Sequence, residues 1–298
     1  MLVYVTGCGN LASQLFPELV PENLGPLLFV LFFAPFVFAG ARAVGRVNTF
    51  LMAGLGIFYF AFVYYGAPYV KTELLLHSDW KKTLVGLPVA FTAFAYQGVV
   101  PTLIHYLNYD PKQARKAILI GSVIPLIAYI IWQVLILGIV PVEGPGGLYE
   151  AYLNGDNAVH PLRNFLDSAK IYHIGQYFAF FALVTSFFGV GIGLLDFLAD
   201  GLKIKKTAKG RFGLSLLVFL PPLAVASYNP HLFLIALSYA GGFGCALLLG
   251  LLPILMVWVG RYRMKLPSAY SLAGGRPLLA LMALFILFEV LVQIYFSI

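Results

Sequence analysis

Long apolar blocks separated by short polar turns make up nearly the whole chain. A hydrocarbon layer about 30 Å thick is crossed by roughly 20 residues of apolar helix, and most of the blocks reach that length. The pattern predicts helices at about 1–16, 27–41, 47–67, 84–107, 117–140, 171–199, 212–226, 231–259 and 277–297, in a single transmembrane domain covering 1–298. The block at 1–16 is short for a crossing and reads as the second part of a helix. Turn signals separate the rest: Arg42 to Arg46, the very short Asn229–Pro230, and the stretch 141–170, in which Gly144, Pro145, Gly146 and Gly147 mark an extracytoplasmic loop. The predicted fold class is all-α, a polytopic membrane helix bundle.

One block is interrupted. The segment 84–107 reads LVGLPVAFTAFAYQGVVPTLIHYL, and its Pro88 and Pro101 each remove a backbone donor. Between them, Gln97 and Gly98 place a polar side chain and a permissive backbone at the middle of the crossing. Irregular backbone at that depth is tolerated only where it is buried in protein or lines a water-filled cavity. Substrate and ion sites of secondary transporters are built from backbone groups freed in this way. The competing reading is a proline kink with Gln97 bonded to a neighbouring helix, and the pattern alone leaves both open.

Composition narrows the class. With 61% hydrophobic and 10% charged residues, the chain is not a soluble domain. A net charge of +7 would suit a nucleic-acid binder, but the bases sit in short turns between apolar blocks, so no nucleic-acid partner is expected. Alternating the blocks across a bilayer collects Arg42, Arg46, Lys112, Arg115, Lys116 and the clusters Lys203 to Arg211 and Arg261 to Arg276 on one side, with Asp110 and Asp200 as the acids there. That asymmetry marks the side as cytoplasmic and puts the C-terminus on the other. Cys8 and Cys245 lack metal-ligand spacing, and the five histidines are dispersed. No metal, cofactor or catalytic set is expected, and the chain does not read as an enzyme.

Four further side chains inside the blocks are candidates for coupling an ion. Thr185 and Ser186 offer hydroxyl oxygens near the middle of their helix, although such residues commonly bond their own backbone. Gly189 and Gly193, next along, form a small-x-x-x-small face expected to let another helix approach. Asp196 lies where Lys203 or another base of the cytoplasmic cluster can pair with it. Glu289 falls near mid-bilayer, where an acid is a functional hypothesis by default; a neutral Glu289 facing Gln293 is the structural alternative.

The blocks FAYQGVVPTLIHYLNYDPKQARKAILIGSVIPLIAYIIWQ and TSFFGVGIGLLDFLADGLK resemble the bacterial aromatic amino acid permeases of the tryptophan/tyrosine permease family. The resemblance extends over most of the chain. It implies a proton-driven importer of tyrosine, tryptophan or phenylalanine in the bacterial cytoplasmic membrane, with the inverted repeats of the LeuT-like architecture. By position it makes 84–107 the broken sixth helix and Ala95, Tyr96, Gln97, Gly98 and Val99 its unwound region. Phe94 then stands ready to pack a substrate ring. The family often has phenylalanine and histidine where Tyr96 and Gln97 stand, so the most polar positions depart from it. The resemblance also implies that Met1 falls within the third helix, with the first two helices absent. It places Thr185 and Ser186 on the eighth helix, where sodium-coupled relatives of this architecture hold an ion. The expected partners are therefore an aromatic amino acid, a proton and the lipid bilayer. The alternative is a non-transporting remnant, or a subunit needing a separate polypeptide for the first two helices.

Overall fold

The computed structural model describes residues 1–154, 156–166, 168–228, 232–267 and 273–297. Among the described residues it is helical throughout, without strands. The helices are α1 (Leu2–Leu15), α2 (Gly25–Ala39), α3 (Ala41–Gly66), α4 (Thr72–Leu75), α5 (Trp80–Val85), α6 (Leu87–Ala93), α7 (Val100–Tyr106) and α8 (Pro111–Ile139). They continue with α9 (Leu148–Asn154), α10 (Leu162–Phe165), α11 (Ala169–Gly201), α12 (Ala208–Tyr228), α13 (Leu232–Tyr239), α14 (Leu252–Trp258) and α15 (Gly275–Ser297). Two π-helical segments, Ala240–Leu251 and Val259–Arg263, make α13 and α14 parts of one continuous rod.

Six helices among the described residues are long and apolar enough to cross a membrane: Ala41–Tyr69, Pro111–Ile139, Ala169–Gly201, Ala208–Ser227, Ala236–Arg263 and Gly275–Tyr295. Their exposed sides carry large apolar groups, among them Phe50, Ile57 and Phe60 on α3 and Ile124, Ile127 and Ile130 on α8. Lipid-facing surface of a polytopic membrane bundle has this character, because acyl chains solvate what water would reject.

The chain divides into two units. The first comprises Met1–His77 and Ile131–Leu234. Within it α11 packs along α3 and α1, and α12 along α2. Phe29 of α2 meets Phe187 of α11 edge-on at 5.0 Å, and Phe187 stacks on Phe219 of α12 at 5.4 Å. Helices α1 and α2 approach closely at Gly9 and Gly25. A Cβ on Gly9 would lie 2.5 Å from the Pro26 backbone nitrogen, and one on Gly25 would lie 2.6 Å from the Gly9 carbonyl oxygen.

Two sequence expectations change here. Arg42 to Arg46 is not a turn: the chain reverses at Gly40 alone, with φ at +97°, and these residues form the first turns of α3. A left-handed φ lets glycine end one helix and begin the next without a loop. The small-residue face at Gly189 and Gly193 is not an interface either. A Cβ at either would meet nothing within 4 Å, whereas one on Gly191 would lie 3.3 Å from Val37 and one on Gly175 3.2 Å from Phe62. Close approach follows the helix face that packing turns inward, and the two-residue offset moves it about 200° around α11. The Asn229–Pro230 turn lies outside the described residues.

The second unit comprises Ser78–Ile130 and Ile235–Ile298. Its core joins the π-helical segment 240–251, α14 and α15 around Ala246, Ile254, Leu279 and Ile286, with Phe91 of α6 packed against them. The π segment touches its neighbours through glycine. A Cβ on Gly241 would run into the Pro88 carbonyl and the Thr92 hydroxyl of α6, and one on Gly242 into the Gln293 amide of α15.

Candidate functional site

The interrupted crossing is broken in the structure. Pro88 and Pro101 stand in the first turns of α6 and α7, where a missing donor costs nothing because the first N–H groups of a helix have no internal partner. Between the two helices the ladder stops. Phe94 and Ala95 close a last turn on Phe91 and Thr92, the Tyr96 N–H bonds only the Phe94 carbonyl at 2.9 Å, and Gln97–Val99 forms a single 3₁₀ turn.

Helix α8 braces this break from within the same unit. The Ser122 hydroxyl donates to the Ile118 carbonyl at 2.7 Å, so the Tyr96 hydroxyl, 2.5 Å from Ser122 Oγ, is the donor of that pair. One turn-pair further on, the Tyr129 hydroxyl donates to the Ala93 carbonyl at 3.3 Å, a group the broken ladder leaves over. The rings of Phe94 and Tyr129 meet edge to face at 5.6 Å. Two short helices with few bonds of their own are thereby held at a defined angle.

Gln97 is part-buried, and its side-chain carbonyl oxygen is buried without a hydrogen-bond partner. An acceptor in that state costs free energy until a donor reaches it. Gly98 is exposed within the unit, and a Cβ there would meet nothing within 4 Å, so its backbone can be approached closely. The side chain of Val99 lies outside the described part. Phe94, Ala95, Tyr96, Gln97 and Gly98 thus form one short unwound stretch that carries an unpartnered buried acceptor and one ring of an aromatic pair. We expect Tyr96→Phe, which removes the donor to Ser122 and keeps the ring, to weaken substrate affinity several-fold, about 1 kcal/mol for one neutral hydrogen bond. The check is KM for uptake, with an unchanged KM assigning the hydroxyl no part in holding the break.

The coupling candidates separate. Thr185 donates to the Ala182 carbonyl of its own helix at 2.9 Å, the local bond that commonly occupies such hydroxyls. Ser186 is half-buried beside it. Asp196 pairs with Lys206, not Lys203, at 2.7 Å, and the carboxylate raises the Lys206 ammonium above its usual value. Both partners are well exposed, so the pair contributes little to stability. Glu289 has no exposed surface, and neither of its oxygens has a hydrogen-bond partner. Gln293, one turn along α15, makes no hydrogen bond to Glu289; its side-chain carbonyl oxygen accepts from the Ser238 hydroxyl at 2.9 Å. At the start of α8, Asp110 accepts from the Gln113 and Lys112 backbone N–H groups and is held below the usual carboxylate range. That is an N-cap, not a ligand site.

A cleft of about 70 Å³ lies within the first unit, lined by Glu150, Asp156, His160 and Arg163 in the 141–170 stretch, with His160 paired to Asp156 at 2.9 Å. Pockets for small molecules run from about 300 Å³, so it does not suit an amino acid. Among the described residues no group of three or more His, Cys, Asp or Glu is placed to hold a metal. Ser122 and Tyr129 were not singled out from sequence. Their seven-residue spacing on one face of an apolar helix is the signal that could have found them.

Comparison with known proteins supplies the family. Residues 1–294 match the tryptophan/tyrosine permease family. The chain is 34% identical over 300 residues to the tyrosine-specific transport system 1 of Haemophilus influenzae, an alignment covering 99% of this chain and 74% of that protein. It is 31% identical to the tryptophan-specific transport protein of the same organism, covering 98% and 73%. The tryptophan-specific transport protein of Pseudomonas aeruginosa is 30% identical, covering 95% and 70%. No solved structure matches. Six long apolar helices among the described residues, a separate pair of short helices broken at Gln97, and a match over residues 1–294 place this multi-pass bacterial membrane protein in the tryptophan/tyrosine permease family.

Proposed function

We propose that the chain imports aromatic amino acids, tyrosine, tryptophan or phenylalanine, by proton symport across the bacterial cytoplasmic membrane. The observation that carries the reading is the unpartnered Gln97 carbonyl oxygen at the helix break, in the same unwound stretch as Phe94, whose ring pairs with Tyr129. An amino acid brings an ammonium donor for that oxygen, a carboxylate for N–H groups left over by the 3₁₀ turn, and a ring that can join the aromatic pair edge to face. The substrate contacts are Phe94, Ala95, Tyr96, Gln97, Gly98 and Val99. Proteins 30% and 34% identical to this chain are named for tryptophan and tyrosine transport, which supports the same substrate class here.

The test is uptake of labelled tyrosine, tryptophan and phenylalanine into proteoliposomes, with and without an imposed pH gradient. Saturable uptake of at least one of them, raised by external acid, is expected. Uptake insensitive to the gradient removes the proton from the reading, and vesicles that take up none of the three overturn it.

A further inference from the structure

Among the described residues, Glu289 is the one acidic or basic side chain that is buried, with 0% of its surface exposed. Burial alone does not single it out. Gln176 in the first unit is as secluded, but its amide nitrogen donates to the Tyr172 hydroxyl at 2.8 Å and to Gln14 at 3.4 Å, and its oxygen lies 3.2 Å from His173. That network is satisfied and structural. Both Glu289 oxygens, by contrast, are left without a hydrogen-bond partner. An unpaired carboxylate in such a seat is expensive, whereas the uncharged acid is tolerated, so the arrangement suits a carboxyl carrying its proton.

The surroundings show what a change of charge would move. Ile286, Glu289 and Gln293 share one face of α15 by helical spacing. Opposite them the π-helical segment presents Gly250 to Ile286, where a Cβ would lie 2.8 Å from Ile286 Cδ1, and Gly242 to Gln293. Glu289 therefore faces the middle of that segment, where Ala246 is fully buried and Cys245 half-buried. Cys245 is the titratable residue on that segment, and α6 and α14 carry none. Lys81 and Lys82 belong to α5, which also packs on α15, and Arg276 and Tyr295 lie toward the two ends of α15 itself. On its other side the π segment meets α6 at Gly241, with no room for even a methyl group. Helix α6 is the first half of the broken crossing. A π-helical stretch of 12 residues is long for a geometry found mostly in single turns and frequently at functional sites.

We propose that Glu289 takes up and releases the coupling proton, and that the π-helical segment 240–251 transmits its charge state to the broken helix through the Gly242 and Gly241 contacts. The proposal rests on the import reading and specifies its coupling site. Proton uptake by the carboxylate leaves a neutral acid that the dry seat accepts. Loss of the proton leaves an anion that must find water or a partner, and a shift of α15 toward either bears on the π segment at Gly242 and, through Gly241, on α6. Substrate bound at the break and proton bound at Glu289 then favour the same arrangement, and by linkage each raises affinity for the other.

The experiment uses the full chain in proteoliposomes with radiolabelled tyrosine and tryptophan, comparing substrate exchange, which needs no net proton movement, with accumulation driven by an imposed gradient. For one proton per substrate, a gradient of about one pH unit supports about tenfold accumulation. E289Q is expected to exchange substrate within about twofold of wild type and to accumulate none under the gradient, because it holds the neutral form permanently. E289D should recover part of the accumulation. G242A, whose added carbon displaces the Gln293 amide, should exchange normally and accumulate less. Full accumulation by E289Q would overturn the proton role, as would loss of exchange by both E289Q and E289D, which would make the residue structural. Full accumulation by G242A would overturn the transmission through the π segment. Wild-type vesicles that exchange neither amino acid would overturn the import reading itself, an outcome visible before any variant is compared.

Discussion

Gln97→Ala is expected to lower kcat/KM for aromatic amino acid uptake by about 10- to 100-fold, with membrane insertion unchanged, because a hydrogen bond to a charged group contributes about 1.5–3 kcal/mol. The Gln97 carbonyl oxygen has no hydrogen-bond partner in the protein, so removing it breaks no internal bond. The loss should therefore appear in transport and not in folding. Insertion is checked by the amount of protein in the membrane fraction, and transport by initial rates across a range of substrate concentrations. A variant with normal saturation kinetics would reduce Gln97 to packing and leave the break without its polar contact. Gln97→His keeps a side-chain acceptor at the position and is expected to restore part of the uptake that alanine loses.

The second large effect lies in the first unit, away from the break. Gly9→Ala is expected to destabilise the protein by about 2–3 kcal/mol, at the upper end of what overpacking costs. Its Cβ would sit 2.5 Å from the Pro26 nitrogen and 2.6 Å from the Pro26 Cα. Both are backbone atoms, which cannot rotate away as a side chain would. The α1–α2 crossing must open, and with it the contacts that carry Phe29 onto Phe187. A matched control is Gly45→Ala in α3, where a Cβ meets nothing within 4 Å. Alanine is the better helix former by about 0.5–1 kcal/mol, so that variant should be at least as stable as wild type. Thermal unfolding of the detergent-solubilised protein, followed by size-exclusion chromatography, separates the two. Equal melting of Gly9→Ala and wild type would mean that the crossing is not tight.

Much of the architecture follows from local features. A row of apolar residues long enough to cross a bilayer is a one-dimensional property, and so is a proline pair flanking Gln97 and Gly98. The helix break between Ala93 and Gln97 therefore stands where the sequence points, with Pro88 and Pro101 opening the helices on either side of it. Boundaries were less legible. Arg42 to Arg46 carry turn-like charges but belong to α3, because Gly40 alone provides the reversal. Neutral-looking stretches hid more. The run AGGFGCALLLGL reads as an ordinary span, and its π-helical form shows only in the backbone.

By itself, then, the sequence determined the membrane class, the all-helical build, the family and the position of the break, since each depends on which residues follow one another along the chain. Tertiary structure alone decided which groups meet: Gly191 and not Gly189 or Gly193 against α2, Lys206 and not Lys203 beside Asp196, Tyr129 on the Ala93 carbonyl, and Glu289 without a partner facing the π segment. The reason is rotation about the helix axis. Each residue turns a helix by about 100°, so a shift of one position, or one π turn, redirects every contact while the hydrophobic pattern that marks a span stays the same.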